Sequence, residues 1–257
     1  MKAYILTDLE GPAMISRFAQ TRDVTPEEKK HWMYFLTGEI NACIDGILDF
    51  DPDAEVIVWD GHGSGGIDEK SFHKRGKLIA RGPIRAPYYL DRSFDALMFV
   101  GQHAKMGDRG VLCHTYSSKS IEYYKINGVE LGEFGCRALM AGTMGVPTTF
   151  VAGDDVTIEE ARELVPNIVG AAVKQALSRE LAIHLSHEAA CELIREQARV
   201  ACERTPEIEP YYFPGPYTQE IRVLEGVSIQ GYLDAGAEYV DNRTVRITKE
   251  NICELSI

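Results

Sequence analysis

The sequence predicts an α/β fold: a mostly parallel open sheet flanked by helices, with a smaller β-rich appendage at the C-terminal end. Three observations support this prediction. Short apolar runs of strand length alternate with helix-like segments over residues 1–180. After residue 205 the chain becomes rich in proline and tyrosine, and its tail then alternates apolar and polar residues, which is typical of antiparallel strands. We therefore divide the chain of 257 residues into an α/β core, 1–204, and an appendage, 205–257, packed on the core.

The first third of the chain predicts strands around one long helix. Residues 2–7 form a short apolar run that an acidic turn ends, which is typical of a buried strand. The segment TPEE at residues 25–28 is a capping box with proline at the first helical position, and apolar residues at helical spacing follow it. We expect this helix to end near Leu48. Three later apolar runs predict further strands: residues 54–59, 77–81 and 96–101.

The remainder of the core continues the alternation. Residues 120–126 predict a strand that ends at Asn127-Gly128, a strong turn signal. Another strand, over 146–152, leads to the pair Asp154-Asp155. We expect these aspartates to serve in capping and in a turn rather than to bind a metal, because a helix should follow, with Thr157 as a plausible cap. Helices are expected over residues 131–141, 157–164 and 187–203, and the stretch 169–183 fits either helix or strand.

Composition limits the classes of function. The formal net charge is −12 and the chain has no basic stripe, which argues against binding to nucleic acid or to anionic membrane surfaces. No run of about 18 apolar residues could span a membrane, and the first residues lack the apolar region of a secretory signal. The six cysteines form no CxxC pair, so we expect reduced thiols in a cytoplasmic protein.

Five side chains that bind metals well follow predicted strands or begin a helix. Asp8 and Glu10 come after the first strand, His62 after the second and His103 after the run 96–101, while Glu133 lies near a helix start. In an open α/β sheet, ligands bind beyond the carboxyl ends of the strands. One pocket could therefore collect three carboxylates and two imidazoles. This set suits zinc or a similar divalent ion and exceeds what one catalytic ion needs.

Each of these residues also has an ordinary structural interpretation. Asp8 and Glu10 could form a solvated acidic turn, and a carboxylate such as Glu133 is favoured at any helix start by the helix dipole. His114, eleven residues after His103, could move a proton near a metal or could be a buried histidine bonded to a backbone carbonyl. The signatures GxSxG, HExxH and GxxxxGK[ST] are absent, so serine hydrolases, zincins and P-loop proteins gain no support.

The ordered motifs of the chain resemble those of the D-aminopeptidases of the DppA type, peptidase family M55. The motifs run from residue 1 to about residue 185: TDLEG, WDGHG, GQHA, CHTYS, INGVELGEFG, VPTTFVAGDD and VPNIVGAAVKQALSR. The resemblance implies a zinc-dependent aminopeptidase that hydrolyses short peptides with an N-terminal D-amino acid, using a water activated by two metals. The loops around WDGHGSGGID and KMGDRG depart from the family pattern, which leaves the substrate preference open.

The resemblance also assigns the ligands. It implies two zinc ions per chain, with the position of Asp8 bridging them. The positions of Glu10 and His103 would hold one zinc, and those of His62 and Glu133 the other. Beyond the metals, the family implies a ring-shaped homo-oligomer, typically a decamer, and the exposed-looking aromatic residues after residue 205 could serve such contacts.

His114 matches the catalytic residue proposed for the family. We expect it to stabilise the oxyanion or pass a proton to the leaving amine rather than attack directly, because a metal-activated water already suffices as the nucleophile. Two alternatives stay open. One is a different two-metal hydrolase, an amidase or a phosphoesterase, for which Lys105 and Arg109 are the only cations close to the ligands in sequence. The other is a non-catalytic metal-binding subunit of an assembly.

Overall fold

The computed structural model describes residues 1–80 and 82–257, and within them the strands form two sheets. The strands are β1 (Lys2–Thr7), β2 (Glu55–Asp60), β3 (Gly76–Ile79), β4 (Ala96–Gln102), β5 (Ile121–Ile126), β6 (Val129–Glu130), β7 (Thr148–Asp154), β8 (Val169–Ser178), β9 (Leu181–His184), β10 (Tyr217–Val223), β11 (Glu238–Asp241) and β12 (Thr244–Lys249). The helices are α1 (Phe18–Thr21), α2 (Pro26–Phe50), α3 (Glu133–Thr143), α4 (Asp155–Leu164), α5 (His187–Arg204) and α6 (Gln230–Asp234).

The main sheet confirms the predicted mostly parallel architecture. Its strand order is β3-β2-β1-β4-β7-β8-β9, and every neighbouring pair is parallel except β8 with β9. β1 therefore lies between β2 and β4. After β1 the chain adds β2 and β3 on one side, and it then crosses to the other side of β1 to add β4, β7, β8 and β9. This reversal is a topological switch point, where the connections diverge and leave a crevice at the carboxyl ends of the strands.

The small sheet is antiparallel and has the order β11-β12-β10-β5-β6. Its strands β10 to β12 come from the tail, as the alternation there predicts. β5 and β6 come from residues 121–130, which the sequence placed in the core, and the pairing brings Tyr124 opposite Ile221. The division of the chain at residue 204 stays a prediction.

Two apolar layers cover the main sheet, because alternate residues of a strand face opposite sides. Ala3 and Ile5 of β1 pack with α2 and α5 on one side. Tyr4 and Leu6 pack on the other side with α3, α4 and the small sheet. This burial on both faces explains why the central strands are almost wholly apolar.

Most predicted elements match the structure to within a few residues. α2 begins after the Thr25 cap, whose side chain accepts a hydrogen bond from the Glu28 amide. The predicted capping role of Asp154-Asp155 is confirmed for Asp154, whose Oδ1 accepts a hydrogen bond from the Thr157 amide at 2.7 Å. The prediction that Thr157 itself caps this helix was wrong. The ambiguous stretch 169–183 forms strands. The predicted strand 77–81 corresponds to β3, and Arg81 lies outside the described residues. No helix in the described part of the chain is long and apolar enough to cross a membrane.

Candidate metal centre

The predicted ligands converge at the switch point of the main sheet. Asp8 directly follows β1, His62 lies two residues after β2 and His103 directly follows β4, while Glu133 is the first residue of α3. Glu10 completes the group on the turn after β1. All are buried except Glu133, whose side chain is 18% exposed. The strand ends and one helix start therefore bring together residues that lie up to 125 positions apart in the sequence.

Asp8 lies between the two imidazoles. Its Oδ1 is 2.9 Å from His62 Nδ1, and its Oδ2 is 3.3 Å from His103 Nε2. The Leu9 amide donates to Oδ1 at 2.8 Å, which fixes the carboxylate plane. A carboxylate with one oxygen toward each imidazole has the arrangement that a bridging ligand requires.

The other carboxylates flank this centre. Glu10 Oε2 lies 3.2 Å from His62 Nδ1, and Glu133 Oε1 lies 3.4 Å from His103 Nε2. Ligand atoms of Asp8, Glu10 and His103 fall within 4.8 Å of one another. These three residues are the set that the family resemblance implies for one zinc. His62 contacts Asp8 and Glu10, and its pairing with Glu133 around a second zinc stays a prediction.

The charges of the site call for a cation. Burial alone would raise the pKa of Glu10, yet His62 and Asp8 hold it well below the usual range. Burial would likewise raise the pKa of Glu133, but His103 lowers it to about 2. Burial would lower the pKa values of His62 and His103, which the carboxylates instead raise well above normal. Without a metal, imidazole protons thus neutralise the carboxylates, and a divalent ion would replace that positive charge.

Two orphaned atoms support the same conclusion. Glu10 Oε2 and His103 Nε2 are buried and make no hydrogen bond of good geometry with any part of the chain that the structure describes. A buried polar atom without a partner destabilises a fold unless something else satisfies it. A divalent ion coordinated by these atoms would do so. The donor set of carboxylate oxygens and imidazole nitrogens therefore fits zinc.

Backbone carbonyls orient the two ligand histidines. His103 Nδ1 lies 2.9 Å from the Ala104 carbonyl oxygen, so Nδ1 carries the proton and Nε2 faces Asp8. His62 Nε2 lies 3.2 Å from the Thr21 carbonyl oxygen, which leaves Nδ1 toward the carboxylates. Each imidazole thus presents its free nitrogen to the centre, as metal-binding histidines do.

His114 stands beside this centre. Its ring stacks on that of His103 with centroids 4.0 Å apart, and its Nε2 lies 3.9 Å from Glu133 Oε1. Its Nδ1 lies 2.8 Å from the Leu112 carbonyl oxygen, so the proton of the neutral ring sits on Nδ1. Burial and the charge of His103 lower the pKa of His114. At neutral pH the ring can accept a proton at Nε2.

A cleft of about 480 Å³ gives access to the centre. Asp8, Glu10, His62, His114 and Glu133 line it. His103 does not, which places it behind the other ligands. The cleft volume falls within the range of small-molecule sites.

Sequence reasoning missed the residues that hold the Glu10 turn. Lys174 on β8 is buried, and its Nζ donates to the carbonyl oxygens of Glu10, Pro12 and Ile15 at 2.6, 3.1 and 2.6 Å. Glu39 on α2 also holds this segment, because its Oε1 accepts a hydrogen bond from the backbone amide of Ala13 at 2.8 Å. A lysine inside the apolar run IVGAAVKQAL was the available signal, because such a charge is buried only with partners.

The loop that carries His62 is held in a similar way. The Asp60 carboxylate accepts hydrogen bonds from the Gly66 amide, at 2.9 Å to Oδ1 and 3.0 Å to Oδ2. The loop sequence GHGSGG has the spacing GxGxxG of dinucleotide-binding turns, but residues 61–75, all described, contain no helix. That fingerprint requires a helix directly after the loop to bind phosphate. The glycines therefore serve the placement of His62 rather than a nucleotide.

Comparisons with known proteins agree with this geometry. The family model Peptidase_M55, described as D-aminopeptidase, matches residues 1–256. A D-aminopeptidase from Bacillus subtilis (strain 168) is 32% identical over 215 residues, which cover 82% of this chain and 77% of the relative. Among solved structures, the Zn-dependent D-aminopeptidase DppA from Bacillus subtilis, a self-compartmentalizing protease, superposes with a TM-score of 0.93 at 28% identity. That match covers 99% of this chain and 93% of the other.

Proposed function

The chain belongs to the M55 family of D-aminopeptidases, and on that basis we propose that it is a zinc enzyme that removes an N-terminal D-amino acid from short peptides. The observation that carries the proposal is the cluster of three carboxylates and two imidazoles at the switch point, in which two ligand atoms are buried without a hydrogen bond of good geometry. Such atoms have a physical role once a divalent ion is bound.

The residues divide into two overlapping ligand sets. Asp8, with one oxygen toward each imidazole, would bridge two ions. Glu10 and His103 would complete one set, and His62 and Glu133 the other. When bound, two zinc ions polarise a scissile carbonyl and lower the pKa of a water. The chain itself places Asp8 and His103 directly after strands, and the hydrogen bonds from the Gly66 amide to Asp60 hold the loop that carries His62.

The centre also favours substrates with a free amino terminus. Two zinc ions would offset the charges of Asp8, Glu10 and Glu133, so a free terminus would bind there as a neutral amine, through its nitrogen lone pair or by a hydrogen bond to a carboxylate oxygen. An acylated terminus is an amide, whose nitrogen lone pair is delocalised into the carbonyl. This difference accounts for cleavage at the first residue rather than inside a chain.

His114 would handle the proton of the leaving group. Its Nδ1–H is held by the Leu112 carbonyl, and its Nε2 faces the cleft side of Glu133. Because its pKa is lowered by burial, the neutral ring accepts a proton at Nε2 and can deliver it to the departing amine. Glu133 lies close enough to stabilise the ring while it is positive.

We also propose a homo-oligomer, in the form of a ring-shaped decamer. The structural relative is a self-compartmentalizing protease. Of the tail aromatics, Tyr217 is buried, Tyr211 and Phe213 pack on the core, and Tyr212 is 55% exposed. A larger exposed apolar surface lies around β9. It consists of Leu181 and Ile183 on β9, Leu177 on β8 and Leu185 directly after β9, all 37–58% exposed. Light scattering should show an assembly that Ile183→Asp disrupts and Tyr239→Ser, at an exposed tail position, does not. A monomeric wild type would contradict the ring.

A cytoplasmic location stays a prediction from the sequence.

One purified sample tests the proposed activity. Metal content by mass spectrometry should give two zinc per chain, and the same sample should hydrolyse D-Ala-D-Ala much faster than L-Ala-L-Ala. Glu10→Gln should lower the zinc content, while Glu130→Gln on exposed β6 should not. Bound metal without peptide cleavage would point to another two-metal hydrolase. A chain that binds no zinc on loading would refute the assignment of the ligands.

A further inference from the structure

Arg137 is a buried cation in the wall of the active-site cleft. It lies on α3, one helical turn after the metal-site residue Glu133, so both side chains are on the same face of the helix. It is 8% exposed, and it lines both the cleft and a neighbouring cavity of about 650 Å³. Among residues 1–80 and 82–257 no carboxylate forms an ion pair with it, and its Nη1 has no hydrogen-bond partner.

Aromatic rings take the place of the missing anion. The guanidinium carbon of Arg137 lies 4.1 Å from the ring centre of Tyr88, 5.3 Å from that of Trp59 and 5.5 Å from that of Tyr116. Cation–π contacts offset part of the cost of burying the charge, but they leave the N–H groups of Nη1 free for another partner. The Tyr116 side chain also lines the cleft, and its buried hydroxyl has no hydrogen-bond partner in the described chain.

The other cations of the cleft are already paired. Arg22 forms an ion pair with Asp23 at 3.1 Å and stacks on Phe18, with its guanidinium carbon 3.8 Å from the ring centre. Lys119 forms an ion pair with the same Asp23 at 2.9 Å. Arg137 is thus the cleft cation that combines burial with an unsatisfied N–H. This combination is suited to a planar anion such as a carboxylate, which guanidinium binds through two parallel hydrogen bonds.

We propose that Arg137, with the Tyr116 hydroxyl, binds the C-terminal carboxylate of the peptide substrate and thereby restricts the enzyme to very short peptides. This inference rests on the proposed function. The other cations that line the cleft are paired with Asp23, so Arg137 is the buried guanidinium left to accept a peptide carboxylate. Side chains one helical turn apart have Cβ atoms about 5–6 Å apart, and each peptide residue spans at most about 3.6 Å. A carboxylate held at Arg137 therefore belongs to a dipeptide or tripeptide whose first peptide bond is at the metals.

The test compares D-Ala-D-Ala with its C-terminal amide, D-Ala-D-alaninamide, on zinc-loaded protein. The wild type should cleave the free acid with a kcat/KM about 100-fold above that of the amide, since the loss of a charge-assisted bidentate contact leaves the arginine unpaired. Arg137→Met should lower the kcat/KM of the acid about 100-fold and change that of the amide less than about threefold. Arg137→Lys keeps the charge but loses the planar guanidinium group. Its kcat/KM for the free acid should therefore lie between the values for the wild type and for Arg137→Met. Lys119→Met is the matched control, and its acid-to-amide ratio should equal that of the wild type.

The amide also serves as the internal measure of folding. If Arg137→Met loses acid and amide turnover equally, Arg137 is structural and the proposal is refuted. If the variants do not fold, the wild type still decides: equal cleavage of acid and amide refutes carboxylate recognition while leaving the aminopeptidase function intact. A wild type that cleaves neither compound overturns the proposed function and this inference with it. Cleavage of D-Ala-Gly-Gly but not of a hexapeptide with the same first residue would support the proposed length limit.

Discussion

Replacement of Lys174 by methionine should weaken both the fold and the metal site. The Lys174 ammonium is buried and donates to three carbonyl oxygens of the turn that carries Glu10, at 2.6, 3.1 and 2.6 Å. Methionine keeps the length and apolar packing of the stem but removes all three hydrogen bonds. Of these side-chain contacts to the turn, only the hydrogen bond from the Ala13 amide to Glu39 would then remain.

The size of the effect follows from two opposing contributions. A hydrogen bond from a charged donor stabilises a fold by about 1.5–3 kcal/mol, so three contribute roughly 4.5–9 kcal/mol. Against this, burial lowers the pKa of Lys174 from 10.5 to about 8. A tenfold change in a protonation equilibrium corresponds to about 1.4 kcal/mol, so keeping the buried ammonium charged at neutral pH costs about 3 kcal/mol. We expect Lys174→Met to destabilise the metal-free chain by about 1–6 kcal/mol, with about 3 kcal/mol as the central value.

Two measurements distinguish the effect on folding stability from the effect on zinc affinity. Urea unfolding of metal-free protein reports the stability change, and zinc titration reports the affinity, which should fall about 10–100-fold because Lys174 positions a ligand turn without touching the metal. Lys77→Met is the control, because Lys77 is exposed and forms only a surface ion pair with Glu55 at 2.8 Å. An unfolding free energy within 0.5 kcal/mol of the wild type (about the effect of a surface substitution), with unchanged zinc affinity, would refute the reasoning.

Three further predictions concern the same region. His114→Ala should keep its zinc and lose about 100–10,000-fold in kcat, whereas loss of zinc would make His114 a ligand, as its 3.9 Å distance from Glu133 allows. Burial raises the pKa of Glu39 from 4.5 to about 8, so between these pH values the folded chain holds a proton that the unfolded chain releases, and stability falls as pH rises. Glu39→Gln should therefore gain stability relative to the wild type between pH 5 and about 8 in urea unfolding; a constant difference would show that Glu39 does not titrate there. Zinc removal by a chelator should lower the melting temperature and abolish turnover, both restored by zinc, and an unchanged melting temperature would contradict the proposed ligands.

The sequence was sufficient to predict that the candidate ligands meet at one edge of the sheet, because one geometric rule did most of the selection. Asp8, His62 and His103 each follow an apolar run, and the carboxyl ends of parallel strands share one edge of a sheet. This inference needs no knowledge of which strands are neighbours. It does need the strands to be parallel, which the alternation with helices predicts.

The residues that support the site could not be found in the same way. Lys174 and the Glu10 carbonyl are 164 positions apart, and no local pattern states that one will meet the other. Arg137 looks like a surface arginine of an ordinary helix until Trp59, Tyr88 and Tyr116 cover it. The pairing of β5 with β10 is of the same kind, because alternation predicts two strands but does not choose their partners. Long-range choices such as these depend on the whole fold.

The strand order itself gives a reason to expect two metals rather than one. β1 has β2 on one side and β4 on the other, so the residue after β1 lies between the loops that follow both neighbours. His62 comes from one loop and His103 from the other, and they approach opposite oxygens of Asp8 at 2.9 and 3.3 Å. A single ion can take two imidazoles, but these two face different oxygens of one carboxylate, which is the arrangement expected when each imidazole serves its own ion. A central carboxylate at a switch point is thus placed to be shared, and Glu10 and Glu133 supply a further oxygen on each side of it.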